Sequence, residues 1–164
     1  MSYIRLYDLL PEVALAESTI VELAEINAYN LPAGEYGLAE MYCDDDDCDC
    51  RRVLIAVMEN KVDAQEPLAV ISFDWESLDY YAKWFNMGKK TSYSELDYLD
   101  KQSVDSMHGI RLIDTSLQSK FAPAILDLLE KRVLNDEFYL NRLKAHYKQF
   151  REKIYKNRHN KSIV

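Results

Sequence analysis

The sequence predicts an α+β fold, in which an antiparallel meander of three or four strands in the N-terminal half packs against C-terminal helices. Apolar and β-branched runs fill much of residues 19–73. The polar segments between them are shorter than the crossover of about a dozen residues that a parallel return needs. After Trp75 the apolar residues change to the three-and-four spacing of a helix face. Strands first and helices later, without strand–helix alternation, favour a sheet covered by helices on one face.

Length and composition fit a single α+β domain, which we expect to span residues 1–164. A chain of 164 residues can bury about 70% of its unfolded surface. Hydrophobic residues make up 48% of the chain, and it has only four Gly and four Pro, a composition that disfavours extensive disorder.

The strand predictions rest on short β-branched or apolar runs bounded by turn residues. A helical turn that begins at Pro11 comes first. Strands are then predicted at residues 19–26, 36–42, 52–58 and 67–73. The first of these runs also contains glutamates and an alanine, which a helix would accept. The segment from Asn30 to Gly34 indicates the turn that separates the first two strands.

Three helices are predicted after the strands, from capping residues and apolar spacing. The first begins behind Ser77, and the second covers residues 117–133, with a proline near its start or at a kink. The third is capped by Asn135 and runs to about Lys156. Its core stripe consists of Leu140, Leu143, Tyr147, Phe150 and Ile154. The polar segment 88–113 carries no predicted element.

Three cysteines follow the second predicted strand with the spacing Cys-x4-Cys-x-Cys, as Cys43, Cys48 and Cys50. If the flanking strands form a hairpin, the four aspartates of residues 44–47 are its loop and Cys43 lies opposite Cys48. Cys50 then points to the same face as Cys48, because alternate residues of a strand share a face. The sequence therefore predicts that the three sulfur atoms converge.

A converging set of thiolates beside a run of aspartates requires positive charge. Unit charges 4 Å apart repel by about 1 kcal/mol even in water. A divalent ion supplies two positive charges, and Arg51 and Arg52 can neutralise the remainder. Soft sulfur ligands in a reducing compartment favour Zn²⁺ over Ca²⁺ or Mg²⁺. We therefore expect zinc as the cofactor.

A structural zinc site takes four ligands, and the chain offers no fourth cysteine. His146 is the preferred fourth ligand, because it borders the apolar stripe of the last helix and can face the sheet. His108 is the second candidate, and His159, in the basic tail, is the least favoured. The alternative for His146 is a half-buried core histidine.

Other interpretations of this region stay open at the level of sequence. The cysteines can be an unmetallated trio, or Cys43 and Cys48 can form a disulfide. The aspartate run can be a Ca²⁺ loop, although it lacks the interior Gly and the distal Glu of an EF-hand.

The segments 34–37, 42–43 and 48–53 together resemble an uncharacterised group of bacterial proteins that carry a YC-x4-CDCRR signature. The segment 142–147 is similar to the C-terminal helix of that group. Some of its members also end in a cysteine-rich SEC-C metal-binding motif, which these 164 residues do not contain. The resemblance implies a metal site and no catalytic activity.

The favoured function is a zinc-binding protein with a mainly structural site, acting as an interaction or scaffold module for a protein partner. A metal-dependent hydrolase or a thiol redox enzyme is the first alternative, although His-Glu-x-x-His, P-loop, GxSxG, dinucleotide and CxxC patterns are missing. The second is binding of nucleic acid or an acidic partner through residues 142–161, which hold eight Lys or Arg against Glu152. A net charge of −8 disfavours nucleic acid.

A cytoplasmic location is expected, because no apolar run approaches bilayer length and the N-terminus lacks the pattern of a secretion signal.

Overall fold

The structure is a computed structural model that describes residues 2–61, 64, 66–86 and 92–161, with side chains to residue 159. The strands of this described part are β1 (Tyr3–Arg5), β2 (Thr19–Leu23), β3 (Gly34–Cys43), β4 (Arg52–Glu59), β5 (Ala69–Asp74) and β6 (Ile110–Leu112). The α-helices are α1 (Leu6–Leu9), α2 (Pro11–Ala16), α3 (Leu78–Phe85), α4 (Tyr98–Met107), α5 (Ala122–Leu128) and α6 (Glu137–Lys161). A 3-10 turn at Tyr93–Glu95 precedes α4, and a π-helical turn at Leu129–Val133 continues α5.

The predicted antiparallel meander is confirmed for β2 to β5, which pair in chain order. Two strands that were not predicted complete the six-stranded sheet. β6 pairs with β5, and β1 shares one edge of β3 with β2, so that Tyr3 lies opposite Cys43. Both added strands are only three residues long, too short to give a visible alternation.

The α+β fold class is also confirmed, because helices from the C-terminal half bury the apolar face of the sheet. Alternate residues of β4, namely Val53, Ile55 and Val57, are fully buried. They belong to one core cluster with residues of α5 and α6 such as Ile125 and Phe150. A smaller cluster joins α3 to α4 through Tyr81 and Val104.

The helix predictions are confirmed in part. Ser77 caps α3, accepting a hydrogen bond from the backbone N–H of Tyr80 at 3.2 Å. The helix predicted over 117–133 begins only at Ala122, with Pro123 in its first turn, where the missing N–H is harmless. The segment 88–113, left without an element, contains α4 and β6, while residues 87–91 lie outside the described residues.

Asn135 is not the cap of α6, which is a correction of the sequence prediction. The side chain of Asp136 accepts from the backbone N–H of Phe138 at 2.9 Å, so the cap lies one residue later. The Asn135 amide instead donates to the carbonyl of Lys131 at 3.4 Å. α6 ends at Lys161, beyond the predicted Lys156.

Among the described residues, no helix combines the length and the apolar character that crossing a membrane requires.

Candidate metal centre

The three cysteines lie at the end of β3 and in the segment that leads to β4. Cys43 is the last residue of β3, whereas Cys48 and Cys50 precede the first residue of β4. The predicted hairpin register is wrong: β3 and β4 pair only as far as Met41 and Leu54, and Cys43 pairs with Tyr3 of β1 instead. The connection is therefore the whole segment 44–51, which we call the cysteine loop.

Local hydrogen bonds and one unusual backbone angle fold the cysteine loop back on itself. The backbone N–H of Cys48 donates to the carbonyl of Asp45 at 3.2 Å, and that of Asp47 donates to the Asp45 carboxylate at 3.1 Å. Arg51 has a φ of 46°, a left-handed conformation that turns the chain into β4. Turns of this kind are typical of aspartate-rich sequences, because the short carboxylate bonds its own backbone.

The ligand atoms of Cys43, Cys48 and Cys50 all lie within 4.8 Å of one another. Cys43 and Cys50 are buried and Cys48 is half-buried, and all three are free thiols. The predicted convergence is confirmed, although it arises from a folded loop and not from a four-residue hairpin. Three sulfur atoms at this spacing can hold one metal ion.

The surroundings of the thiols bear on their chemistry. Burial raises the pKa of Cys50, and the neighbouring Cys48 and Cys43 raise it further. Burial is also the largest cause of the raised pKa of Cys43. A buried thiol with a raised pKa is a poor nucleophile, since the thiolate is the reactive form. A bound cation reverses this preference, because it stabilises the thiolate directly.

His146, the fourth ligand predicted from the sequence, is not brought to the cysteines. Its Nδ1 lies 2.7 Å from the Glu40 carboxylate and its Nε2 lies 3.1 Å from that of Glu17. The ring is 1% exposed, so the interpretation as a core histidine describes its position better. The sequence could have indicated Glu40 as the partner of His146, because Glu40 is an acid at an inward-facing position of β3, between Leu38 and Tyr42. A buried acid at such a position needs a hydrogen-bond partner.

The two other histidines are also engaged elsewhere. Nε2 of His108 lies 3.0 Å from the backbone carbonyl of Glu76. His159 is exposed, and its Nδ1 lies 2.9 Å from the carbonyl of Tyr155 in the same helix. Within the described residues, the group formed by the cysteines therefore contains no histidine.

Arg51 and Arg52, expected to balance thiolate charge, form ion pairs with carboxylates. Arg51 pairs with Asp49 and, at 2.9 Å, with Glu76. Arg52 pairs at 2.6 Å with Asp74, whose side chain is fully buried. Arg51 thus anchors the C-terminal end of the cysteine loop to Glu76, just after β5, and Arg52 ties the first residue of β4 to the last residue of β5.

The basic helix α6 holds the opposite end of the loop, a role that the sequence analysis missed. Arg151 donates to the backbone carbonyls of Asp45 at 2.5 Å and Asp46 at 2.6 Å. Arg158 donates to the Asp46 carboxylate at 2.5 Å and to the Asp44 carbonyl at 2.9 Å. The sequence feature that could have indicated this contact is the pair of segments with opposite charge, the aspartate run and the basic helix. Part of the positive charge on α6 is therefore used within the molecule.

Tyrosine hydroxyls fix the centre of the loop from two directions. Tyr147 of α6 donates to the Asp49 carboxylate at 3.1 Å. Tyr80 and Tyr81 of α3 donate to the backbone carbonyls of Asp49 at 2.5 Å and Arg51 at 3.1 Å. The cysteine loop is therefore positioned by side chains from α3 and α6, which fixes the sulfur atoms relative to the core.

The half-buried Cys48 lines a groove of about 530 Å³ between the loop and α6. Trp75 and Tyr147 give this groove an apolar part, and Lys144 and Lys148 line its α6 side. The carboxylates of Asp45, Asp46 and Asp47 also approach within 4.8 Å of one another. The Asp46 carboxylate is already paired with Arg158 of α6, and that of Asp45 accepts from the backbone N–H of Asp47, so two of these acids have partners within the protein.

No family model, no curated protein and no solved structure matches this chain. Its function is therefore inferred from the geometry of its own residues.

Proposed function

We propose that this protein binds one zinc ion through Cys43, Cys48 and Cys50, and that the ion serves mainly to stabilise the fold. The observation that carries the proposal is the approach of the three ligand atoms to within 4.8 Å. Zinc binds thiolate sulfur at about 2.3 Å, a distance that sulfur atoms gathered in this way can reach with small adjustments. The likeness to proteins with a YC-x4-CDCRR signature is consistent with the same role.

Zinc is preferred over other ions because of the ligands. Thiolates select soft or borderline metals, whereas Ca²⁺ and Mg²⁺ take oxygen ligands. Reduced cysteines persist in a reducing compartment, so the proposal includes a cytoplasmic location. Three protein ligands leave one position of a tetrahedral ion for water or for a group that enters from the groove beside Cys48.

A structural role is favoured over catalysis by the character of the ligands. Three thiolates donate so much charge to zinc that the ion becomes a weak Lewis acid, unlike the ions of hydrolytic sites with neutral histidines. A thiol redox enzyme receives less support, because burial raises the pKa of Cys43 and Cys50. The loop instead presents an ordered surface between α3 and α6, which suits an interaction or scaffold module.

Metal analysis of the purified protein tests this proposal. We expect zinc in a one-to-one ratio with the chain, lost on substitution Cys48→Ser and retained on substitution His146→Gln. Cys48 is half-buried, so its replacement by serine removes a ligand with little change in packing. Absence of zinc from protein reconstituted under reducing conditions, or full zinc retention in Cys48→Ser, would overturn the proposal.

A further inference from the structure

A second polar site, which does not depend on the proposed zinc site, lies in a cavity between α1, α2, β3 and α6. The cavity has a volume of about 290 Å³, near the lower end of the range for small-molecule pockets. Leu6, Ala14 and Leu38 supply apolar lining, whereas Glu17, Glu40 and His146 supply polar groups. An apolar cavity with a few convergent polar groups is the usual form of a ligand site.

The inner wall of the cavity is a buried pair of titratable side chains. Glu40 is 7% exposed and His146 is 1% exposed. One oxygen of Glu40 accepts from the Tyr42 hydroxyl at 2.8 Å and lies 2.7 Å from Nδ1 of His146. A carboxylate in this position is acceptor only, so Nδ1 carries hydrogen. The ring is thereby oriented with Nε2 towards Glu17.

Nε2 of His146 and an oxygen of Glu17 are 3.1 Å apart, which requires a hydrogen between them. When the ring is neutral, both atoms are acceptors and repel each other. Burial lowers the pKa of His146, but the hydrogen bonds to Glu40 and Glu17 outweigh this effect and raise it. The two acceptors thus share one proton, and another hydrogen-bond donor can take its place.

The charges around the cavity favour a cation as that donor. Arg5 also lines the cavity, but two of its nitrogens bond both oxygens of Asp8 at 2.8 Å. Among the described residues that line the cavity, the two carboxylates of Glu17 and Glu40 therefore face one possible cation, the imidazole ring of His146. Glu17 follows α2 directly and its side chain is 46% exposed, so its carboxylate can be reached from solvent.

We propose that this cavity binds a small primary amine, whose ammonium group donates to Nε2 of His146 and to the Glu17 carboxylate while its alkyl chain packs against Leu6, Ala14 and Leu38. An ammonium group has three N–H donors, enough to serve both acceptors at once. It replaces the shared proton, which leaves Nε2 for solvent, so the imidazolium becomes a neutral imidazole. Binding therefore releases a proton when the ring is initially charged.

Titration of the purified 164-residue protein with n-butylammonium tests the proposal directly. Long-range ¹H–¹⁵N spectra report on the ring nitrogens of His146, and comparison with His146→Gln assigns them. We expect a saturable shift of Nε2 to the position of an unprotonated, hydrogen-bonded nitrogen. Butyrate and butanol, matched in chain length, should give no saturable shift. No saturable change with butylammonium, or an equal response to butyrate, would overturn the proposal.

A matched pair of variants separates the site from a general charge effect. Glu17→Gln keeps the shape and removes the charge, and we expect it to weaken butylammonium binding about tenfold. Glu12→Gln removes the same charge from an exposed position of α2 that does not line the cavity, and its affinity should equal that of the wild type. Unchanged affinity in Glu17→Gln, or equal losses in both variants, contradicts the proposal.

The heat of binding measured in two buffers of different ionisation enthalpy gives an independent readout. The apparent enthalpy should depend on the buffer for the wild type, because a proton is released, and should lose that dependence in His146→Gln. The measurement is made below the pH at which His146 loses its charge. Identical heats in both buffers for the wild type would then overturn the proposed exchange of a proton for the ammonium group. None of these readouts depends on whether the cysteines hold a metal ion, so they can fail while the proposed zinc site stands, and the reverse.

Discussion

The cysteine loop and the cluster of Glu17, Glu40 and His146 are two polar sites that both contact α6, and they differ in how they are assembled. The three sulfur atoms come from Cys43, Cys48 and Cys50, within one short segment. The second cluster joins residues separated by 106 and 129 positions. Sequence spacing therefore specifies the first site, whereas only the packing of α6 on β3 creates the second.

The two sites also differ in what stabilises them. The second cluster satisfies its own buried polar atoms, since every ring nitrogen of His146 has a carboxylate partner. The cysteine loop brings together thiols that burial keeps protonated, and we propose that its stability comes from a bound ion. Removing the ion should therefore affect the loop strongly and the second cluster hardly at all.

The largest expected effect is that of Cys50→Ser on the zinc-loaded protein. Metal that binds only the folded state adds about 4 kcal/mol to the free energy of unfolding when its free concentration is about 1,000 times the dissociation constant. Loss of the buried ligand Cys50 removes most of this contribution. In metal-free protein the same substitution should cost only about 1 kcal/mol. Urea unfolding with and without chelator measures both values, and equal costs would contradict the metal's role.

The next largest effect is expected for Glu40→Ala, at about 3 kcal/mol. It removes the acceptor shared by the Tyr42 hydroxyl and Nδ1 of His146, and the hydroxyl keeps only the carbonyl of Leu143 at 3.2 Å. Because Glu40 belongs to the second cluster, the loss should be the same with and without chelator. Glu22→Ala, which removes an exposed glutamate from β2, is the control and should change the free energy of unfolding little. A chelator-dependent loss in Glu40→Ala would show that the two sites are not independent.

A smaller effect is expected for Arg151→Ala, about 1–2 kcal/mol, from the loss of charge-assisted bonds to the carbonyls of Asp45 and Asp46. The freed loop should also release zinc faster, which a competing chromophoric chelator can follow. Lys153→Ala removes the same charge from an exposed position of α6. Equal release rates in both variants would mean that net charge, and not the clamp, governs release.

The local parts of this architecture could be predicted from the sequence. The meander β2–β5, the Ser77 cap and four of the five predicted core residues of α6 follow from period and capping chemistry, which depend on neighbouring residues only. Leu140 is the exception, since it is half-buried and Tyr139 enters the core instead. The convergence of the three sulfur atoms was likewise a matter of short spacing. These features were predicted because no distant partner is needed to form them.

The features that could not be predicted from the sequence depend on contacts between residues far apart in the chain. β1 pairs with the end of β3, which moves Cys43 out of the hairpin and lengthens the loop. His146 was assigned to the metal from its helix face, but the opposing residue on β3 is Glu40. Charge complementarity between the aspartate run and α6 was visible in the sequence, yet only the packing shows that Arg151 bonds backbone carbonyls and not carboxylates.

The smallest expected effect is a pH dependence that separates the two clusters further. The pKa of His146 is raised above 6.5 in the folded protein by Glu40 and Glu17, despite burial. Its stabilising contribution is therefore complete below about pH 6.5 and is lost as the pH rises through the higher folded value. The difference in unfolding free energy between wild type and His146→Gln should shrink from about pH 5 to about pH 9. A constant difference would contradict this assignment, as would an equal trend for the exposed His159→Gln.

X-ray absorption at the zinc edge of the reconstituted protein identifies the atoms that bind the metal. We expect a first shell dominated by three sulfur atoms at about 2.3 Å. The metal itself should be lost in Cys48→Ser, and the shell should be unchanged in His146→Gln. A shell of nitrogen and oxygen alone, or one with a single sulfur, would contradict a site made by Cys43, Cys48 and Cys50.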